Sequence, residues 1–230
     1  MPLIEFEAVS HRYAVGADPV AVLSDVSLTA DERRIGVIGG NGSGKSTFAR
    51  MLNGLVIPSE GEVRIDGEST RSRARQIRRK VGFCFTNPDA QIVMPTVRED
   101  VAFGLRRLKL ARADVDSRVA EALAGFGLAP LADQPAHLLS GGQKQLLALA
   151  SVLVMRPALV VMDEPTTLLD LRNERRIRGE IDRLAQQVVL VTHHLHLLDG
   201  FDRVLVFDAG RLVCDADPDQ ARRHYLGLVS

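Results

Sequence analysis

Apolar and polar positions alternate at the start of the chain, with Ile4, Phe6 and Ala8 set against Glu5, Glu7 and Val9. That two-residue period predicts a strand with one buried face. Residues 14–19 read as a hairpin loop before a strand at Val20-Ala21-Val22-Leu23, and Val26-Ser27-Leu28-Thr29 alternates again. Ile35-Gly36-Val37-Ile38 is continuously apolar instead, a buried strand, and Phe48 to Asn53 behind it reads as a helix. Gly61 to Gly67 is a short strand bracketed by glycines, and Val81-Gly82-Phe83-Cys84-Phe85 is an apolar strand closed by the breaker Asn87-Pro88-Asp89. From about residue 90 to 156 the pattern turns helical, with apolar residues at three- and four-residue spacing over Val97–Leu108 and Val115–Phe126. Gly125, Gly127 and Pro130 are the stops. Ala158–Met162 and Val188–Val191 are again unbroken apolar runs, the pattern of parallel strands covered on both faces. Arg203–Phe207 and Arg211–Cys214 flank Asp208-Ala209-Gly210, a hairpin turn. The expectation is an α/β chain with an antiparallel β edge, a parallel-sheet core, and a helical subdomain inserted at about 90–156.

Composition narrows this only modestly. At 230 residues the chain is one domain, or one domain with an inserted lobe, and 46% apolar with 25% charged residues is a globular balance that excludes a disordered chain. A net charge of zero argues against a general nucleic-acid binder. Cys84 and Cys214 stand in no metal or redox spacing and are expected to be free thiols in a reducing compartment. Met1 to Glu7 lacks the basic segment of a signal peptide, and the longest apolar run, Leu146 to Met155, falls short of the ~20 residues that cross a bilayer. Any membrane role is therefore expected to come through a partner. The basic run Arg71, Arg73, Arg75, Arg78, Arg79 and Lys80 reads as a solvated face, with lipid headgroups or an acidic partner as the other reading.

Three segments carry chemistry. Gly39-Gly40-Asn41-Gly42-Ser43-Gly44-Lys45-Ser46-Thr47 is a complete phosphate-binding loop set between a strand and a helix. Glycines let backbone N–H groups turn inward around phosphates, Lys45 reaches the β- and γ-phosphates, and the Ser46 hydroxyl suits Mg²⁺. Val160-Val161-Met162-Asp163-Glu164 is an apolar strand ending in two carboxylates. Asp163 is read as the metal ligand and Glu164 as the general base for water. Leu139-Ser140-Gly141-Gly142-Gln143-Lys144-Gln145 offers Ser140 as an N-cap and leaves glycine N–H groups open at a helix start. A second phosphate-facing surface serves little purpose for one nucleotide on one subunit. It has one if two copies dock, each closing the other's site.

Leu139 to Gln145 resembles the signature sequence of the ATP-binding cassette ATPases, and the phosphate loop and Asp163–Glu164 stand around it in that family's order. The resemblance spans essentially the whole chain. It implies a head-to-tail dimer, of two copies or of one copy and a relative, with ATP and Mg²⁺ at the interface. It implies further that Tyr13 stacks on adenine, that Leu139, Ser140 and Asp170 face the dimer partner, and that His193 senses the γ-phosphate. The family usually has a small residue where Leu168 stands. His193, His194 and His196 also suggest a metal site, but neighbours in an extended chain point to opposite faces and no nearby Cys completes a ligand set. After Val81–Phe85 the family carries Gln near Mg²⁺, where this chain has Thr86, a shorter group that needs a bridging water.

Asn87-Pro88-Asp89-Ala90-Gln91, followed by Pro95-Thr96-Val97-Arg98-Glu99-Asp100-Val101-Ala102-Phe103-Gly104, is similar to the energy-coupling-factor ATPases that drive vitamin and transition-metal-ion uptake. In that group Asn87, Pro88, Asp89 and Gln91 would lie in the groove for a membrane partner's coupling helix. The implied partners are a transmembrane coupling subunit, a small substrate-binding membrane subunit and a second ATPase subunit, at the cytoplasmic face of the membrane. The chain ends at Ser230, without the extra C-terminal domain many of those ATPases carry. Compact size, Thr86 and Thr166-Thr167-Leu168-Leu169-Asp170 resemble the ATPase of biotin transporters, with cobalt or nickel uptake next. A conventional importer for another solute, or a soluble cassette ATPase, is the alternative.

Overall fold

A computed structural model describes residues 1–15, 18–167 and 169–229. In chain order the elements are β1 (Ile4–Val15), β2 (Asp18–Ala30), β3 (Arg34–Gly39), α1 (Lys45–Met51), β4 (Glu60–Ile65), β5 (Glu68–Ser69), α2 (Ala74–Lys80) and β6 (Val81–Cys84). Then come α3 (Val97–Leu105), α4 (Arg112–Gly125), α5 (Gly141–Leu153), β7 (Leu159–Asp163), α6 (Leu171–Arg183), β8 (Gln187–Val191), β9 (Arg203–Asp208), β10 (Arg211–Ala216) and α7 (Pro218–Leu228). They fall into two compact units. One holds Met1–Phe83, Ala158–Glu164 and Ala185–Ser230, and the other holds Cys84–Pro157 and Pro165–Leu184.

The first unit carries two sheets. Strands β2-β1-β4-β5 form an antiparallel sheet. The two alternating runs expected near residues 20 and 26 are one strand here. Bulges let it continue: Ala8 and Asp25 take positive φ of 46° and 51°, and the β1–β2 register shifts between Phe6 and Val9 and again at His11. The expected 14–19 loop is narrower, because Ala14 pairs with Pro19 and Val15 with Asp18, while residues 16 and 17 lie outside the described set. Asp66 and Gly67 both have positive φ, 53° and 72°, and turn β4 tightly into β5.

The second sheet has the order β10-β9-β3-β8-β7-β6. β3 runs parallel to β8 and β9, and β7 parallel to β8. Every residue of β3, β7 and β8 is buried, as their unbroken apolar runs require. Behind them Phe48 of α1 stacks on Phe6 at 4.6 Å and tilts against Phe207 at 5.0 Å, fixing the helix that follows the phosphate loop. Such aromatic pairs add about 0.5–1.5 kcal/mol beyond area burial. Both cysteines are free.

The basic run becomes α2, a helix not expected from sequence. Ile77 anchors it at 0% exposure, and Arg78 donates to the Asn53 and Gly54 carbonyls. Arg73, Arg75 and Arg79 remain exposed, consistent with a solvated face. In the second unit, α3 opens on a capping box in which Thr96 and Glu99 bond reciprocally, and it stops at Leu105 rather than Leu108. Residues Arg106–Leu108 tighten into a 3₁₀ turn before Lys109 at φ 51°. α5 starts at Gly141, because the Ser140–Gln143 capping box sets the start.

Candidate active site

β3 delivers the chain into the phosphate loop, and α1 takes it away. Gly39 sits at φ 151°, where an added Cβ would lie 2.1 Å from the Phe207 carbonyl oxygen, so only glycine fits against β9. Asn41 and Gly42 are exposed at the loop tip, and Ser43, Gly44 and Thr47 are buried. At Gly40 and Gly42 an added Cβ would meet nothing within 4 Å. The buried Ser43 hydroxyl has no hydrogen-bond partner among the described residues. Lys45 is 6% exposed and donates to the Gly39 and Gly40 carbonyls at 2.9 and 2.7 Å. Burial lowers its pKa, against the raising effect of Glu164 and Asp163. An open cradle of glycines, a loose hydroxyl and a dehydrated ammonium suits a polyphosphate.

Ser46 donates to Asp163 Oδ1 at 2.9 Å. Asp163, at 1% exposure, has its pKa raised chiefly by burial, with Glu164 adding to the rise and Ser46, Arg50 and Lys45 opposing it. Two oxygens so placed fit a hard cation such as Mg²⁺. Glu164 follows β7 in the left-handed region at φ 52°, a strained setting for a non-glycine residue, and its N–H donates to the Val191 carbonyl at 2.9 Å. The turn aims its carboxylate at His193, whose Nδ1 lies 3.1 Å from Oε2. Tyr13 on β1 holds its hydroxyl 3.4 Å from that of Thr47 and packs edge-on to His11.

The remaining expected residues belong to the second unit. Ser140 Oγ accepts from the Gln143 N–H at 3.4 Å, and Gln143 Oε1 accepts from the Ser140 N–H at 2.8 Å. Gly142 is packed so closely that a Cβ would sit 2.5 Å from the Asn173 amide, and Asp170 N-caps α6 by accepting from the Asn173 N–H at 2.8 Å. Leu139 is buried and Leu168 lies outside the described residues. Thr86, Asn87, Pro88 and Asp89 border a pocket of about 110 Å³ against Gly141 and Lys144. Asn87 accepts from the Asp89 N–H, and Asp89 pairs with Lys144 at 2.7 Å. Gln91 accepts from the Phe85 N–H at 3.2 Å and donates to the Ala148 carbonyl at 2.9 Å, so its amide braces this segment. Beyond it a cavity of about 320 Å³ is lined by Asp89, Ile92, Val93, Met94, Pro95 and Ala136.

The family profile described as "ABC transporter" matches residues 23–167. The chain belongs to the ABC transporter ATPases. It is 56% identical over 97% of both chains to a Deinococcus radiodurans protein named only as an ABC transporter ATP-binding protein. It is 45% identical to the biotin transport ATP-binding protein BioM of Rhizobium etli, over 99% of each. The energy-coupling factor transporter ATP-binding protein EcfA1 of Symbiobacterium thermophilum shares 44% identity over 92% of this chain and 78% of its own. Among solved structures, the dimeric cassette MJ0796 in a post-hydrolysis state with ADP and phosphate superposes with a TM-score of 0.84. It is 27% identical, over 94% of this chain and 98% of that one. The ABC ATPase binds and hydrolyses ATP. No helix among its described residues is long and apolar enough to cross a membrane.

Asn173 and Arg50 were not expected from sequence. Arg50 Nη2 lies 3.7 Å from Asp163 Oδ2, and the spacing Ser46 to Arg50, one helical turn, is the sequence signal that points to it.

Proposed function

We propose that this ABC ATPase powers an energy-coupling-factor importer for a vitamin, biotin favoured, or a transition-metal ion. The observation that carries the reading is the Asn87–Gln91 segment, braced on α5 beside a cavity whose lining mixes Ile92, Val93 and Met94 with Asp89 and His137, suited to an amphipathic coupling helix. The relatives named for biotin transport and energy coupling support it. The Deinococcus radiodurans relative, at higher identity, bears no solute name, which keeps metal ions and other solutes in view.

In this reading the 230 residues work as one ABC ATPase domain with its helical part at about 90–156. Tyr13 stacks on adenine, and the loop from Gly39 to Thr47 turns its N–H groups to the phosphates. Lys45 exchanges the Gly39 and Gly40 carbonyls for phosphate oxygens. Ser46 and Asp163 would hold Mg²⁺, and Thr86 stands where the family's Gln does. When bound, the ion neutralises charge on the phosphate oxygens. Glu164 takes the proton of the attacking water, and His193 fixes the Glu164 carboxylate and reads the γ-phosphate. Ser140 to Gln143 face the nucleotide of a second ATPase subunit, identical or related, and Asp170 faces that subunit. Closing and opening of that pair would move a transmembrane coupling subunit and a small substrate-binding subunit, with the ATPase peripheral on the cytoplasmic face and no nucleic acid involved.

The test is recovery of the tagged chain from its native membranes in mild detergent, with retained proteins identified by mass spectrometry. A helical coupling subunit together with a small membrane protein is the expected result. Two large permease domains, or no membrane protein at all, would replace the reading by a conventional importer or a soluble cassette ATPase.

A further inference from the structure

Asp163 is a carboxylate at 1% exposure at the end of an apolar strand. Removing a charge from water is costly unless another group compensates it. Lys45, the nearest cation in sequence to the loop, has its ammonium on the Gly39 and Gly40 carbonyls. The other cation is Arg50. It follows Ser46 by one turn of α1, so both side chains leave the same helix face toward Asp163. Ser46 Oγ meets Oδ1 at 2.9 Å, and Arg50 Nη2 stands 3.7 Å from Oδ2. The rest of the guanidinium is unevenly placed. Its Nε is buried without a hydrogen-bond partner among the described residues, yet the side chain as a whole is 43% exposed. A group held for packing alone would not leave a buried donor unmade, which costs more than an ordinary hydrogen bond gains.

We propose that Arg50 is a stand-in cation: it neutralises and orients Asp163 before Mg²⁺ arrives and gives way to the ion when nucleotide binds. It is a positioning residue. At 3.7 Å the contact is an ion pair rather than a hydrogen bond, and its open side lets the guanidinium swing to solvent without unpacking α1. A divalent ion and a guanidinium cannot share the same carboxylate oxygen at short range without repulsion. Mg²⁺ therefore competes with Arg50, and the chain binds the ion less tightly than Ser46 and Asp163 alone would allow.

The inference rests on Ser46 and Asp163 being the ion's oxygens, so its test checks that first. Thermal unfolding is followed for the wild type, Arg50→Met, Arg50→Lys, Asp163→Asn and the double variant Arg50→Met/Asp163→Asn. Each is measured without nucleotide, with ADP, and with ADP over a Mg²⁺ titration. If Asp163→Asn keeps the full Mg²⁺ increment, the assignment of the ion's oxygens fails. If it loses the increment, the role of Arg50 is decided by two readings. Arg50→Met is expected to lower the nucleotide-free midpoint in the wild-type background but not in the Asp163→Asn background. It is also expected to tighten the apparent Mg²⁺ affinity by about two- to five-fold, the modest range appropriate to a pair with one solvated partner. Arg50→Lys, which keeps the charge, restores both. Equal destabilisation in the two backgrounds, or an unchanged Mg²⁺ affinity, overturns the proposal and leaves Arg50 a packing residue of α1.

Discussion

Glu164 combines a backbone strained to φ 52° with a carboxylate whose Oε2 lies 3.1 Å from His193 Nδ1, an arrangement that fixes its orientation. Glu164→Gln keeps the shape and removes the base. ATP binding is expected to persist, while turnover falls by about 10²–10⁴-fold, the range for loss of a positioned general base. Equilibrium binding of labelled ATP beside steady-state phosphate release checks it, and normal turnover would remove Glu164 from this role. Thr86→Gln places the longer amide that the family carries at this position on the edge of the 110 Å³ pocket. ATP binding should not change, and transport per ATP should rise in the assembled transporter. Equal uptake and ATPase rates would show that the position accepts either residue. At this scale much was legible in the sequence, because Lys45, Ser46, Asp163 and Glu164 announce themselves through neighbours one to five residues away. Asn173 was not, because it takes its meaning from Gly142, distant in sequence, and Arg50 shows there only through its one-turn spacing from Ser46, since its partner Asp163 is distant too.

Helix α5 carries the Asn87–Gln91 segment at two points one turn apart, Lys144 on Asp89 and the Ala148 carbonyl on Gln91. The two points are unequal. The ion pair has one partner at 64% side-chain exposure, so solvent screens it to about 0–1 kcal/mol. Gln91 makes two half-buried hydrogen bonds, and Gln91→Leu forfeits both, about 1–3 kcal/mol together. Urea unfolding should therefore show a larger fall in midpoint for Gln91→Leu than for Lys144→Met, at equal slope. The reverse order would mean that the ion pair, not the amide, holds the segment. Element boundaries were readable where a local cap decides them, as at Ser140. They were missed where charge hides the period: in α6 only Ile177 and Ile181 are buried apolar positions among arginines and acids, and α2 shows only Ile77.

The strand order β10-β9-β3-β8-β7-β6 was beyond the reach of local pattern, since β3 finds both of its neighbours, β8 and β9, at the far end of the chain. What the pattern did convey is that β3, β7 and β8 are buried on both faces and that the first strands are covered on one. The antiparallel sheet pays for one polar exception, His11, at 9% exposure. Its Nδ1 lies 3.3 Å from Ser59 Oγ, its Nε2 is buried without a hydrogen-bond partner among the described residues, and its ring packs edge-on to Tyr13 at 4.5 Å. Burial lowers the His11 pKa below its ordinary 6.5, so the folded chain holds the ring neutral where the unfolded chain would protonate it. Between the two pKa values the unfolded state binds more protons, and stability falls as pH drops through 6.5 toward the lower folded value. Above that window the group contributes no pH dependence. The unfolding midpoint of the whole chain should therefore decline from pH 7 to pH 5, and His11→Gln should flatten part of that decline whatever it does to the midpoint at pH 7. A variant whose midpoint tracks the wild type in parallel across the range would assign the acid sensitivity to other groups and leave His11 a neutral packing residue at every pH tested.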